Sequence, residues 1–147
     1  MDAEKDKELL CFLCGNVHYA VEFQDIEEIC YNVILYSVPC LPEYFCGVFY
    51  YKGGVIPVLK IDCSFASPES GEFTSVMVVK SGNCLFGIRM LHIPWICRPS
   101  EEITSKDVIS GFVPPRWKVK NVYKMEKDLL FLLDVGGSAG GLIAYPE

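Results

Sequence analysis

Cys11 and Cys14 form a C-x-x-C pair, the first group in the chain that could do chemistry. Such a pair works in redox exchange when a helix N-terminus lowers its thiol pKa, or as half of a zinc site when a second pair completes it. Here the pair lies inside the apolar run Leu9 to Cys14, and no second C-x-x-C follows. Residues i and i+3 of a strand point to opposite faces, so two small core or surface hydrophobes are expected. His18 and His92 are the only histidines, and neither has a Ser, Cys or acidic partner at a recognisable spacing. Glu27, Glu28, Glu43, Asp62 and Asp134 are scattered, with no pair spaced for acid and base work. Glu28 stands out, because a carboxylate between Ile26, Ile29 and Tyr31 shares its surroundings with apolar side chains. The G-G-S-A-G-G run, Gly136 to Gly141, lacks the strand-loop-helix context and the following lysine of a phosphate loop. An enzyme therefore has little support, and no cofactor or metal is expected. Apolar strands beside isolated charges suit a docking surface better.

The elements that would position such a surface can be read from the same string. The chain has 147 residues, 51% of them apolar, enough for one domain with a real core. A net charge of −6 argues against nucleic acid as a ligand. No run reaches the roughly 18 apolar residues of a membrane span, and the acidic start M-D-A-E-K-D-K-E is the opposite of a signal peptide. A cytoplasmic protein without membrane insertion is expected, with its eight cysteines as reduced thiols.

Short β-branched and aromatic runs alternate with turns. Leu9 to Cys14 and Val17 to Phe23 are joined by Gly15-Asn16, a two-residue hairpin signal. Gln24 to Ile29 suits a helical turn or a continued strand, Tyr31 to Val38 a strand, and Pro42 to Phe45 one helical turn. In F-C-G-V-F-Y-Y-K-G-G-V-I-P-V-L-K-I-D, Phe45 to Asp62, Gly53-Gly54 suits the turn of a second hairpin. Pro57 lacks an N–H and is expected at an edge or a bulge. Residues 65–73 read as a linker. Beyond it come strands at Thr74 to Val79 and Cys84 to Ile93, an imperfect capping box at Ser100, and strands at Val108 to Val113, Val119 to Met125 and Leu129 to Val135. Asp128 is expected in the turn between the last two. About ten short strands imply an all-β barrel or sandwich. Two small barrels sharing an apolar core, the first over about 9–64 and the second over about 74–135, with a tail at 136–147, are a reasonable solution for halves this small.

The stretch from Tyr19 to Asp62 resembles the first half of a CheW-like domain. The family runs from an alternating strand through V-x-E-I, P-x-x-x-x-G-V and an N-L-R-G hairpin to V-x-P-V-x-D-L. Here Ile26-Glu27-Glu28-Ile29, Pro42 to Val48, Tyr50-Tyr51-Lys52-Gly53 and Val55 to Asp62 keep that spacing. Val76 to Ile93 and L-L-F-L-L-D-V, Leu129 to Val135, are similar to segments of the second half.

The resemblance implies two five-stranded SH3-like barrels, one or two short helices and no catalysis. It implies an adaptor that couples the cytoplasmic tips of chemoreceptors to the regulatory domain of the histidine kinase CheA, in chemotaxis signalling at receptor arrays. By matching position, the partner-binding residues are Ile26 and Glu28, Gly47 and Val48 on the approach to the hairpin, and Lys52 and Gly53 at its tip. Lys52 stands where the family has arginine, Tyr50 where it has asparagine, and Leu91 where it has an aspartate. The family's closing helix is replaced by G-G-S-A-G-G-L-I-A-Y-P-E, a poor helix former. These departures leave a second reading, a module of the same fold for another kinase or a small ligand. A third, a thiol-redox protein, rests on the cysteines alone.

Overall fold

The computed structural model describes residues 8–61, 73–99, 101–103 and 117–143. The expected strand Val108 to Val113, residue Asp62 and most of the 65–73 segment lie outside them. The described residues are all-β with one helix, and their strands form two sheets. The first sheet contains β1 (Leu9–Cys14), β2 (Val17–Glu22), β8 (Trp95–Cys97), β9 (Glu101–Ile103), β10 (Val119–Met125) and β11 (Asp128–Leu133). Its order is β8-β1-β2-β11-β10-β9. The second contains β3 (Ile26–Ile34), β4 (Phe45–Tyr51), β5 (Gly54–Leu59), β6 (Phe73–Ser81) and β7 (Cys84–Met90), in the order β3-β6-β7-β5-β4.

The expected division at the linker does not describe this pairing. The strands on either side of residues 65–73 belong to one sheet, and the two compact units are 26–91 on one hand and 1–25 with 92–147 on the other. Each sheet contains a parallel pair that sequence order hides: β5 with β7, and β2 with β11. Hairpins are local and legible, whereas parallel pairs join distant strands through long connections. The sheets hold six and five strands rather than five each.

In the six-stranded sheet the Gly15-Asn16 turn forms as expected, with Cys14 opposite Val17 and Gly15 at φ 64°. β2 is interior, and Tyr19 to Glu22 are buried on both of its faces. Tyr19 packs against Phe12 and Phe131, with ring centroids 6.0 and 6.1 Å away. Ala20 faces the other way, into a cluster with Leu9, Cys11, Leu130 and Leu132. Burial of each such aliphatic side chain is worth about 1.5–3 kcal/mol. Phe23, expected to continue the strand, is exposed, because the chain turns into a 3-10 turn at Phe23–Asp25. The buried Glu22 carboxylate accepts from Gln24 Nε2 at 3.0 Å and pairs with Lys120. Burial pulls the Lys120 ammonium down, but Glu22, with Asp25 and Asp134 behind it, more than offsets this, and the net direction is upward. Glu101–Ile103, expected to open a helix, is the edge strand β9 beside Val122 to Lys124. Asp128 begins β11, and Glu126 at φ 50° makes the turn before it.

The tail corrects the expectation most clearly. Val135–Ile143 forms the helix α1 despite its four glycines. Asp134 caps it, accepting from the Gly137 N–H at Oδ1 (2.9 Å). Val135 and Ser138 are fully buried, and Ser138 Oγ accepts the Lys118 N–H at 2.8 Å. Docking and capping override weak intrinsic propensity. Asp134→Ala is expected to lower stability by about 1 kcal/mol, read as a lower urea midpoint with α1 amides exchanging faster than those of β11.

Candidate functional site

The site is built on the hairpin of β4 and β5. Tyr51 pairs with Gly54, so the two-residue turn is Lys52-Gly53, one position earlier than the Gly53-Gly54 turn expected. Lys52 at φ 47° and Gly53 at φ 84° both take positive φ, the pattern of a type I′ turn. That turn matches the twist of the strands, and asparagine followed by glycine is its usual filling. Here lysine occupies a backbone position that is costly for its side chain.

Pro57 is not at an edge, since β5 lies between β7 and β4. Its place follows from hydrogen-bond alternation along the hairpin. Val48, opposite Pro57, turns its own backbone groups outward, donating to Tyr36 O at 2.9 Å and accepting from Tyr36 N at 2.8 Å. Pro57 therefore needs no N–H toward β4, and the ladder to β7 pairs Val58 and Leu59, beyond it. Gly47 lies at a register shift at φ 146°, and a Cβ there would meet Tyr36 O at 2.7 Å.

β3 and β4 are the two edges of the five-stranded sheet, yet their side chains meet. Tyr51 Oη donates to Glu28 Oε1 at 2.8 Å, and Lys52 Nζ lies 3.6 Å from the same oxygen. Lys52 Nζ also sits 5.3 Å from the centre of the Tyr51 ring. The sheet curls until its edges close through this cluster. Register shifts between Ile26 and Glu28, and between Cys30 and Val33, bend β3 on either side of Glu28. The groove along the seam has a volume of about 440 Å³ and includes Cys30, Tyr36 and Tyr50 in its lining. Tyr36 and Tyr50 are exposed and meet edge to face at 6.3 Å. Val55, opposite Tyr50, is exposed as well. Around the charges lies an open apolar surface.

Burial, and then the hydrogen bond to Glu28, raises the Tyr51 phenol above its ordinary value. The Tyr51 oxygen, and then Glu28, raises the Lys52 ammonium. Burial, and then the Glu28 charge, raises the Cys30 thiol, which makes it a poor nucleophile. The neutral phenol is favoured in the fold, so its stabilisation is complete below the unfolded value, about 10, and is lost as pH rises through the folded value. Urea midpoints should therefore fall less between pH 8 and pH 11 in Tyr51→Phe than in the wild type. Equal falls would exclude this titration.

Of the six residues singled out in the sequence, the structure brings Glu28 and Lys52 together, with Gly53 forming the turn. Gly47 and Val48 lie on β4 beside Tyr36. Ile26 is half-buried opposite Val79 at the start of β3. Sequence reasoning missed Tyr51 and Tyr36. For Tyr51 the signal was its i+2 spacing from Phe49, which puts both on the core face beside the turn lysine. Tyr36 had none, because one isolated bridge places it. His18 has its Nδ1 buried and its ring edge-on to Trp95 at 5.9 Å. Cys11, expected as a thiol, forms a disulfide with Cys97. The two are 86 positions apart, and strand pairing alone makes them neighbours.

Among the described residues, no group of side chains could hold a metal ion, and no helix is long and apolar enough to cross a membrane. No curated protein is similar enough to count as a match. The fold is similar to that of the scaffolding protein TtCheW from Thermoanaerobacter tengcongensis. That likeness covers 90% of this chain and 87% of that one, at a TM-score of 0.70 and 15% sequence identity. The pattern of the CheW-like domain matches residues 8–139. With nearly the whole length matched, and the two-sheet fold shared, this chain is a member of the CheW-like domain family.

Proposed function

We propose that the protein is a non-catalytic adaptor of chemotaxis-type signalling, coupling the cytoplasmic tips of chemoreceptors to the histidine kinase CheA. The observation that carries the reading is the Glu28–Tyr51–Lys52 cluster. It holds a cation in a strained turn at the rim of an open apolar seam. Lysine kept at a positive φ costs stability, and such strain is typical of functional positions. Family membership supports the scaffold role, and the named relative is itself described as a scaffolding protein. Ile26, Glu28, Gly47, Val48, Lys52 and Gly53 form or support the partner surface, with Tyr36 and Tyr50 as its aromatic anchors.

The test is a titration of the purified chain against the CheA regulatory domain and a receptor-tip fragment, both from its own organism, at fixed salt. Micromolar binding that weakens in Lys52→Glu supports the reading. No binding to either partner moves the reading to another kinase or a small ligand. That alternative is favoured by Lys52 and Leu91, which replace the arginine and aspartate of the family pattern.

A further inference from the structure

The Cys11–Cys97 disulfide lies far in sequence from the hairpin and belongs to the other compact unit. It ties β8 to β1. β8 is an edge strand held by three paired residues, Trp95 to Cys97, and it exposes Ile96, with the exposed Ile93 just before it. The two sulfurs differ in access. Cys11 is fully buried in the cluster with Leu9 and Leu132, whereas Cys97 is half-buried and lines a pocket of about 410 Å³. Arg98, Lys124 and His18 also line that pocket, with Glu126 and Asp128 on its wall. Arg98 is already engaged by Glu8 at 3.0 Å. Cys97 is the sulfur of the pair that a small molecule can approach, in a pocket whose cations Arg98 and Lys124 are balanced by Glu126 and Asp128.

We propose that Cys11–Cys97 is a reversible thiol–disulfide latch on β8, and that Cys97 is the sulfur attacked by a low-molecular-weight thiol. The thiolate attacks Cys97 Sγ. The bond to Cys11 breaks, and a mixed disulfide forms on Cys97. Cys11 Sγ leaves with the electron pair and takes a proton from solvent. A second thiolate attacks the small molecule's sulfur in the mixed disulfide. It departs as the small-molecule disulfide, and Cys97 Sγ leaves as a thiolate that takes a proton from solvent. Two small thiols are oxidised and one protein disulfide is reduced. Cys14 does not compete, because it points to the opposite face of β1 from Cys11. Without the cross-link, β8 keeps its three-residue ladder to β1, the Trp95–His18 ring contact and, just beyond it, the exposed Arg98–Glu8 pair, and the register that presents Ile96 opens more often.

The full chain, air-oxidised or treated with dithiothreitol, is labelled with a maleimide under denaturing conditions and mapped by peptide mass. Cys11 and Cys97 should be protected together in the oxidised sample and labelled together in the reduced one. With glutathione disulfide as the probe, Cys11→Ser should acquire the adduct on Cys97, whereas Cys97→Ser should acquire none on Cys11. Amide exchange at residues 95–97 should rise at least tenfold on reduction and in both variants. Leu130 to Leu132 should stay protected, which shows that the fold is kept. Equal labelling of Cys11 and Cys97 in both samples, an adduct on Cys11, or unchanged exchange in β8 would each overturn the latch.

Discussion

Gly47→Ala is expected to lower stability by more than about 2 kcal/mol, a large share of what a domain of this size holds. Gly47 has φ 146°, and its missing Cβ is the space that Tyr36 O occupies. Backbone strain at such a position costs about 1–3 kcal/mol by itself. The clash adds to it, because the obstructing atom is a backbone carbonyl that accepts the Val48 N–H and cannot simply rotate away. Relief requires moving the Tyr36 segment, which breaks both hydrogen bonds of the Tyr36–Val48 bridge. A urea melt measures the loss, and a midpoint within error of the wild type would contradict the geometry. Whatever survives folding should bind partners poorly, because Tyr36 is one wall of the seam.

The second large effect is on binding. Lys52→Glu places a second carboxylate beside Glu28, in a turn whose backbone is unchanged. The exposed cation becomes an anion, and its attraction to Glu28 becomes repulsion. Affinity for a partner that meets Lys52 with negative charge should fall at least tenfold, mostly through slower association, and the fall should shrink at high salt. Lys52→Asn separates charge from backbone. Asparagine suits the type I′ turn, so stability should rise while affinity still falls. If Lys52→Asn binds as the wild type does, the lysine acts only as a turn residue and the partner surface lies elsewhere.

The sequence by itself determined the elements that depend on neighbours. Alternating β-branched and aromatic runs required strands, and Gly15-Asn16 required the first hairpin. The spacing from Tyr19 to Asp62 carried the family. Glu28 and Lys52 were legible as unusual, one a charge among apolar residues and the other a charge in a turn. That they form one site was not legible. They sit on opposite edges of a sheet, and only its curl brings them within 3.6 Å. The same holds for Cys11 and Cys97, joined by a pairing that spans 86 positions. It holds for Tyr36, placed by one bridge, and for the grouping of strands across residues 65–73.

The tail shows the limit from the other side. Four glycines argue correctly that Val135–Ile143 is a weak helix in isolation, since propensity is a property of the local chain. Asp134 is a local cap, but whether the helix forms also depends on the buried Ser138 meeting Lys118, and that contact exists only once the strands have assembled. Local backbone preference is encoded within a few residues and can be read from them. Edge closure, parallel pairing and docking depend on surfaces that distant segments supply, and only the tertiary structure decided those.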